Sequence, residues 1–222
     1  MRIAIRKLGL TEYRPVWRAM QEFTDSRDET TRDEIWFTEH QPVFTLGLNA
    51  SREHVLAPGN IPVVQIDRGG QVTYHGPGQL MIYPLIDLRR ANIGVRPLVT
   101  ALEQSVVALA AGYGIDAASR ADAPGVYVDG VKLASIGLRI RRGASLHGMA
   151  LNVDVDLEPF SRINPCGYED LAVTDLARLG ADRDLDVIQQ KLLPHFLRII
   201  GLPATELIDA TRELPVANEM RD

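Results

Sequence analysis

This chain of 222 residues has a single cysteine, Cys166, and only three lysines, Lys7, Lys132 and Lys191, among its 24 basic residues. One cysteine excludes an intramolecular disulfide and any cysteine-rich metal site. The five histidines, at 40, 54, 75, 147 and 195, have no metal-ligand spacing, so no metal is expected. No apolar run approaches eighteen residues, which leaves no candidate membrane helix, and the start Met1-Arg2-Ile3-Ala4-Ile5-Arg6-Lys7 is too short and interrupted for a signal-peptide core. The cytoplasm is the expected location. A formal charge of −5 argues against nucleic-acid binding driven by overall charge, although a local basic patch stays open. With 45% hydrophobic and 24% charged residues the chain is globular and is read as one domain.

Because arginine serves almost wherever a positive charge is needed, each retained lysine draws attention as an amine that can lose its proton, which arginine cannot do at ordinary pH. The second concentration is glycine. In Arg68-Gly69-Gly70-Gln71-Val72-Thr73-Tyr74-His75-Gly76-Pro77-Gly78-Gln79-Leu80, four of thirteen positions are glycine, against 18 in all 222. Such clustering suits a backbone that adopts positive φ or comes close to another molecule. The stretch lies between two strand-like runs, Ile61–Ile66 and Leu80–Leu88, and reads as a sheet-supported loop that touches a ligand.

Elsewhere, periodicity gives an opening strand near Arg2–Leu8 and a helix near Thr11–Phe23, with Tyr13, Val16, Trp17, Met20 and Phe23 as a core stripe. Strands follow at Glu34–Glu39 and Val43–Leu46, then a long helix over Val95–Tyr113 stopped by Gly112 and Gly114. Asp129-Gly130 between β-branched residues predicts a type I′ hairpin. Counting by twos from Lys132 along the next strand gives Ala134, Ile136, Leu138 and Ile140, which puts Lys132 on the more apolar face. A buried lysine loses its proton more easily and becomes a usable base, whereas a lysine at a strand end can also snorkel to solvent; parity supports both equally. A strand over Ser145–Val155 contains His147-Gly148-Met149-Ala150-Leu151-Asn152. An irregular stretch, Glu158–Glu169, carries Asn164-Pro165-Cys166-Gly167-Tyr168, and a final helix runs near Leu185–Ile200. Residues 201–222 read as a peripheral tail beyond a catalytic unit spanning 1–200.

A lone cysteine is usually a small buried hydrophobe. Pro165 and Gly167 instead place this thiol on a loop, where a nucleophile would need Lys132, His75 or His147 as its base or cation, and spacing does not choose among them.

Together these segments resemble the lipoyl(octanoyl) transferases, which begin protein lipoylation. The resemblance rests on the Arg68–Leu80 stretch, Gly130-Val131-Lys132-Leu133-Ala134-Ser135-Ile136-Gly137, the His147–Asn152 segment and Asn164–Tyr168, in that order, and covers roughly residues 1–200. It implies an α/β fold with a central mixed sheet, similar to the biotin and lipoate ligase catalytic domain. It also implies that Lys132 deprotonates Cys166, whose thiolate takes octanoate from octanoyl-acyl carrier protein. The acyl group then passes to a lysine of a lipoyl domain, in 2-oxoacid dehydrogenase acyltransferase subunits or the glycine cleavage H-protein, with no cofactor. The residues that the resemblance assigns to the acyl site are Arg68, Gly69, Gly70, Gln71, Val72, Thr73, Tyr74, His75, Ser135, Ile136, Gly137, Gly148, Met149 and Ala150. The physical expectation is an apolar tunnel, with glycine N–H groups facing the developing oxyanion. His75 and His147 either orient groups near the site or simply pack. The basic residues Arg89, Arg90, Arg139, Arg141 and Arg142 are candidates for facing acidic protein partners. ATP-dependent ligation and a non-catalytic module that binds acyl carriers or lipoyl domains are the competing readings. Lipoate ligases carry Arg-Arg, two variable positions, three glycines and a closing His-Asp. Here Arg68 runs directly into Gly69-Gly70, and His75 is followed by Gly76.

Overall fold

Strands with alternating apolar residues and helices with one apolar stripe can bury those surfaces only by stacking in layers. A computed structural model describes residues 3–165 and 171–202 in full, and the backbone of residues 204–209. Its main layer is an eight-stranded mixed sheet, ordered β11-β1-β2-β6-β10-β9-β8-β7. The strands are β1 (Ile3–Thr11), β2 (Asp33–His40), β6 (Gln79–Leu85), β7 (Ala117–Ser119), β8 (Gly125–Val128), β9 (Val131–Arg141), β10 (Ala144–Asn152) and β11 (Ala204–Asp209). β1 runs parallel to β2 and β11, and the other pairings are antiparallel.

Helices α2 (Val95–Ala111) and α3 (Leu185–Ile200) cover one face. Leu98, Leu102, Val106 and Leu109 of α2 and Ile188, Leu192 and Phe196 of α3 meet sheet residues such as Ile82, Val126 and Leu151 in the largest core. Each such side chain contributes about 1.5–3 kcal/mol by burial. α3 is capped by Asp184, whose carboxylate accepts from the N–H groups of Asp186 and Val187, and it ends on Gly201 at φ 74. Helix α1 (Tyr13–Asp25) covers the other face, laying Val16, Ala19 and Met20 against Trp36, Met81, Tyr83, Leu146 and Ala150.

A second sheet, ordered β4-β3-β5, contains β3 (Val43–Leu46), β4 (Val63–Gln65) and β5 (Val72–His75). It packs against α1 through Val43, Val64 and Ile66, which meet Tyr13 and Trp17. The glycine-rich stretch is therefore only partly a loop. Val72-Thr73-Tyr74-His75 pairs antiparallel with β3, because β-branched and aromatic residues there suit a pleated, buried strand. The three-residue β7 has too little pattern to be read from sequence. The Asp129-Gly130 hairpin forms as expected, with both residues at positive φ, 49 and 81. β11 forms the edge of the main sheet beside β1, past the boundary at residue 200 that the sequence suggests.

Candidate active site

Strict alternation along β9 would point Lys132 into the α2 core with Ala134, and the structure corrects this. Val126 and Val128 of β8 lie in that core, so Tyr127 between them faces the other way, and Lys132 is paired directly across from Tyr127. A shift in β8–β9 register at Tyr127 leaves Leu133 and Ala134, neighbours in sequence, both in the α2 core. The extra residue returns Lys132 to the face that carries Ser135 and Gly137. Its side chain is 2% exposed, with Nζ 5.2 Å from the centre of the Tyr127 ring. The main chain of Lys132 is gripped by a crossing segment. Its N–H donates to Ala172 O, and Thr174 N–H donates to its carbonyl, both at 2.9 Å.

On the same face a cavity is walled by five elements, and Lys132 is not among the residues that line it. Tyr13 comes from α1, and Met81 and Tyr83 come from β6. Arg68, Gly70, Gln71, Val72, Thr73 and His75 come from the glycine-rich stretch and β5. Ser135, Ile136 and Gly137 belong to β9, and His147, Gly148, Met149 and Ala150 to β10. Cross-strand pairing brings the last two groups together, with Gly137 opposite Gly148 and Ser135 opposite Ala150. Two residues expected at the site lie elsewhere. The Tyr74 ring packs edge-on against Phe160 and tilts against Phe44, since alternation along β5 sends it away from the His75 side. Gly69 donates its N–H to Leu138 O and borders a neighbouring groove with Asp67 and Arg139. Cys166 lies outside the described residues.

At Gly137 a Cβ would stand 3.0 Å from Gly69 O and 3.1 Å from Arg68 Cδ and would crowd both. Its absence lets Arg68 lie flat on β9, donating to Thr45 O at 2.7 Å and to Gly69 O at 2.8 Å.

A second departure from alternation occurs at His147, which sits at φ 58 in the left-handed region. Its neighbour Leu146 already faces α1, and the turn brings His147 to that side as well. His147 Nε2 lies 2.8 Å from Asp67 Oδ1, and Nδ1 lies 3.4 Å from Tyr13 Oη. Asp67 Oδ1 also accepts from Trp17 Nε1 at 2.8 Å. The bond from His147 holds the Asp67 carboxyl well below the usual carboxylate range. Burial lowers the His147 pKa despite that partner, so the ring is neutral and carries its proton on Nε2. The Tyr13 ring stacks on His75 at 5.5 Å and meets His40 edge-on at 4.8 Å. Burial pushes Tyr13 and Tyr83 up, and pushes His40 down to about 3. His40 Nε2 lies 2.8 Å from Tyr83 Oη. These rings form a polar cluster beside the apolar residues Val72, Met81, Ile136 and Met149 of the cavity wall.

Sequence reasoning missed Tyr13, His40, Asp67, Met81 and Tyr83 here. Asp67 directly precedes Arg68, a usable signal, whereas Tyr13 was indistinguishable from the core stripe it belongs to. Among the candidate surface arginines, Arg141 and Arg90 are engaged within the chain, by Asp25 at 2.6 Å and Asp33 at 2.8 Å, and Arg142 donates to the Asp25 carbonyl.

A family model described as the lipoyl protein ligase A/B catalytic domain matches residues 12–197. A protein named octanoyltransferase from Hahella chejuensis is 58% identical over 199 residues, covering 90% of this chain and 89% of that protein. Another of that name, from Saccharophagus degradans, is 59% identical over 197 residues, covering 89% of this chain and 91% of its own. A putative lipoate protein ligase from T. acidophilum superposes with a TM-score of 0.73 at 16% identity, covering 95% of this chain and 90% of that one. At that identity the likeness concerns the fold.

Proposed function

Since the chain belongs to the lipoyl protein ligase A/B catalytic-domain family, we propose that it works by a two-step acyl transfer through Cys166, with Lys132 as the base. It is an acyltransferase, an octanoyltransferase of protein lipoylation. The proposal concerns donor, intermediate and residues. Octanoyl-acyl carrier protein supplies the acyl group as a thioester. Lys132 accepts the proton of Cys166, the thiolate attacks the carbonyl carbon, and collapse of the tetrahedral adduct breaks the bond to the carrier sulfur, which leaves as a thiol once protonated. The neutral amine of an acceptor lysine in a lipoyl domain then attacks acyl-Cys166, the C–S bond breaks as the amide forms, and the proton lost by the amine returns, through Lys132, to the departing Cys166 sulfur. Dehydrogenase acyltransferase subunits and the glycine cleavage H-protein supply such domains. Both steps conserve or lower the energy of the acyl bond, so no cofactor is needed, and the cytoplasm is the proposed location. Among the described residues no helix is long and apolar enough to cross a membrane.

The observation that carries this reading is the placement of Lys132. A buried amine, in a chain nearly without lysine, is turned by a bulge onto the sheet face that carries Ser135 and Gly137 of the cavity wall. Its main chain is bonded to Ala172, six residues beyond Cys166. Arg68, Gly70–Thr73 and His75, Ser135–Gly137 and Gly148–Ala150 are proposed to line the acyl chain, with Gly69 and Tyr74 supporting from behind. The test is transfer from octanoyl-acyl carrier protein to an apo lipoyl domain without ATP. Modification of the domain is expected. Modification only with free octanoate and ATP would establish ligation instead.

A further inference from the structure

Gln79 and Asn152 stand at the ends of two of the sequence segments described above, one residue before Leu80 and at the last position of His147–Asn152, yet neither lines the cavity. Both are buried, at 1% and 4% exposed, and together they link the two sheets. Arg68 Nη2 donates to Thr45 Oγ1 at 3.0 Å, and Thr45 Oγ1 lies 3.1 Å from His75 Nε2. His75 Nδ1 lies 2.7 Å from Gln79 Oε1. Gln79 Nε2 donates to Asn152 Oδ1 at 2.8 Å and to Tyr74 O at 3.2 Å. Asn152 Nδ2 donates to Thr174 O at 2.9 Å, and Thr174 N–H donates to Lys132 O.

The direction of every bond in this series is fixed by chemistry. Arginine can only donate, and a carbonyl can only accept. The Gln79 nitrogen faces two acceptors, so the Gln79 oxygen faces His75, which must carry its proton on Nδ1. His75 Nε2 then accepts the Thr45 hydroxyl proton, leaving the Thr45 oxygen free to accept from Arg68. The result is a one-directional series from Arg68 on the cavity wall, through β3 and β5 of the small sheet and β6 and β10 of the large one, to the main chain around Lys132. Bonds aligned in this way polarise one another and strengthen as a set. Both nitrogens of His75 are engaged by protein groups, Thr45 and Gln79.

We propose that Gln79 and Asn152 are positioning residues for acyl transfer, which hold the Arg68–His75 wall in register with the strand that presents Lys132. This rests on the reading of Lys132 as the base. A displacement of about 1 Å between the acyl group and its base can cost about 100-fold in rate, so a link of this kind acts on turnover more than on acyl binding.

Asn152→Asp tests it with little change in shape. Its Oδ1 still accepts from Gln79, but the second oxygen meets Thr174 O with no proton to donate. The expected result is a fall of about 10- to 100-fold in kcat, with KM for octanoyl-acyl carrier protein within threefold of the parent. Parental kcat, or a KM rise that matches the whole loss, overturns the proposal. A second measurement needs no variant. The ¹⁵N shifts of His75 in the parent should report a neutral ring protonated on Nδ1, and an Nε2–H ring would break the series. Gln79→Glu should convert that ring to imidazolium at neutral pH, and an unchanged ring signal would contradict the link. Lys132→Ala run in parallel separates the two readings. Parental turnover there removes the base assignment alone, while the His75 signals still report on the link.

Discussion

His147 Nε2 and Asp67 Oδ1 stand 2.8 Å apart beside the cavity, joining the kink in β10 to the residue that immediately precedes the glycine-rich stretch. This pair fixes the tautomer of His147, leaves Nδ1 for the Tyr13 hydroxyl, and anchors the start of the stretch that forms one cavity wall. Asp67→Ala should leave the N–H groups of His147 and Trp17 without an acceptor. The expected cost is about 2–4 kcal/mol in urea unfolding, together with a raised KM for the acyl donor. A variant with parental stability would show that the pair is incidental.

Acid should destabilise the fold before it protonates the carboxylates. Burial lowers the pKa of His40, to about 3, and also those of His75 and His147. Each is neutral when folded and takes up a proton when unfolded, once the pH falls below the ordinary imidazole value of about 6.5. The stability they confer is therefore fully present above that pH and declines as pH falls below it, by up to about 1.4 kcal/mol per pH unit for each histidine, the loss from His40 continuing to about pH 3. The lowered carboxyl of Asp67 adds a loss of the same sign in a more acidic window. Urea midpoints measured at pH 7, 6 and 5 should fall steadily, and His40→Gln should remove about one proton's share of the slope. Midpoints independent of pH would contradict the buried neutral cluster.

Two glycines of the cavity should respond differently to alanine. At Gly148 a Cβ would stand 1.9 Å from Ile82 O, a backbone atom inside the paired sheet, so Gly148→Ala should abolish the fold or cost more than about 3 kcal/mol. At Gly137 the obstruction is milder, 3.0 Å from Gly69 O and 3.1 Å from Arg68 Cδ. Gly137→Ala should fold, displace Arg68, and raise KM for the acyl donor about tenfold. Thermal unfolding and donor titration of the two variants distinguish these outcomes. Equal stability of the pair would show that β10 and β6 can separate at Gly148.

Long periodic elements were legible in the sequence because their burial pattern repeats. The last helix, read near Leu185–Ile200, keeps those bounds, and the Asp129-Gly130 turn keeps its type. The motifs also carried much of the cavity wall, at Arg68, Gly70–Thr73 and His75 and along Ser135–Gly137 and Gly148–Ala150, but not at Gly69 or Tyr74. Strand parity failed at two candidate site residues. A bulge turns Lys132 onto the sheet face that carries Ser135 and Gly137, and His147 reaches the cavity through a left-handed backbone. A count by twos sees neither, because each is a local backbone irregularity stabilised by contacts distant in sequence. Tyr13, Met81 and Tyr83 look like ordinary core residues, and only packing of α1 over β6 makes them cavity wall.

The central claim is covalent capture of the acyl group by Cys166, and intact mass spectrometry after mixing the protein with octanoyl-acyl carrier protein, without ATP, tests it most directly. The expected result is an octanoyl adduct on Cys166 that hydroxylamine removes and apo lipoyl domain discharges. It should be absent in Cys166→Ala and form at least about 100-fold more slowly in Lys132→Ala. Transfer to the lipoyl domain at the parental rate by Cys166→Ala, with no adduct on the parent, would contradict it.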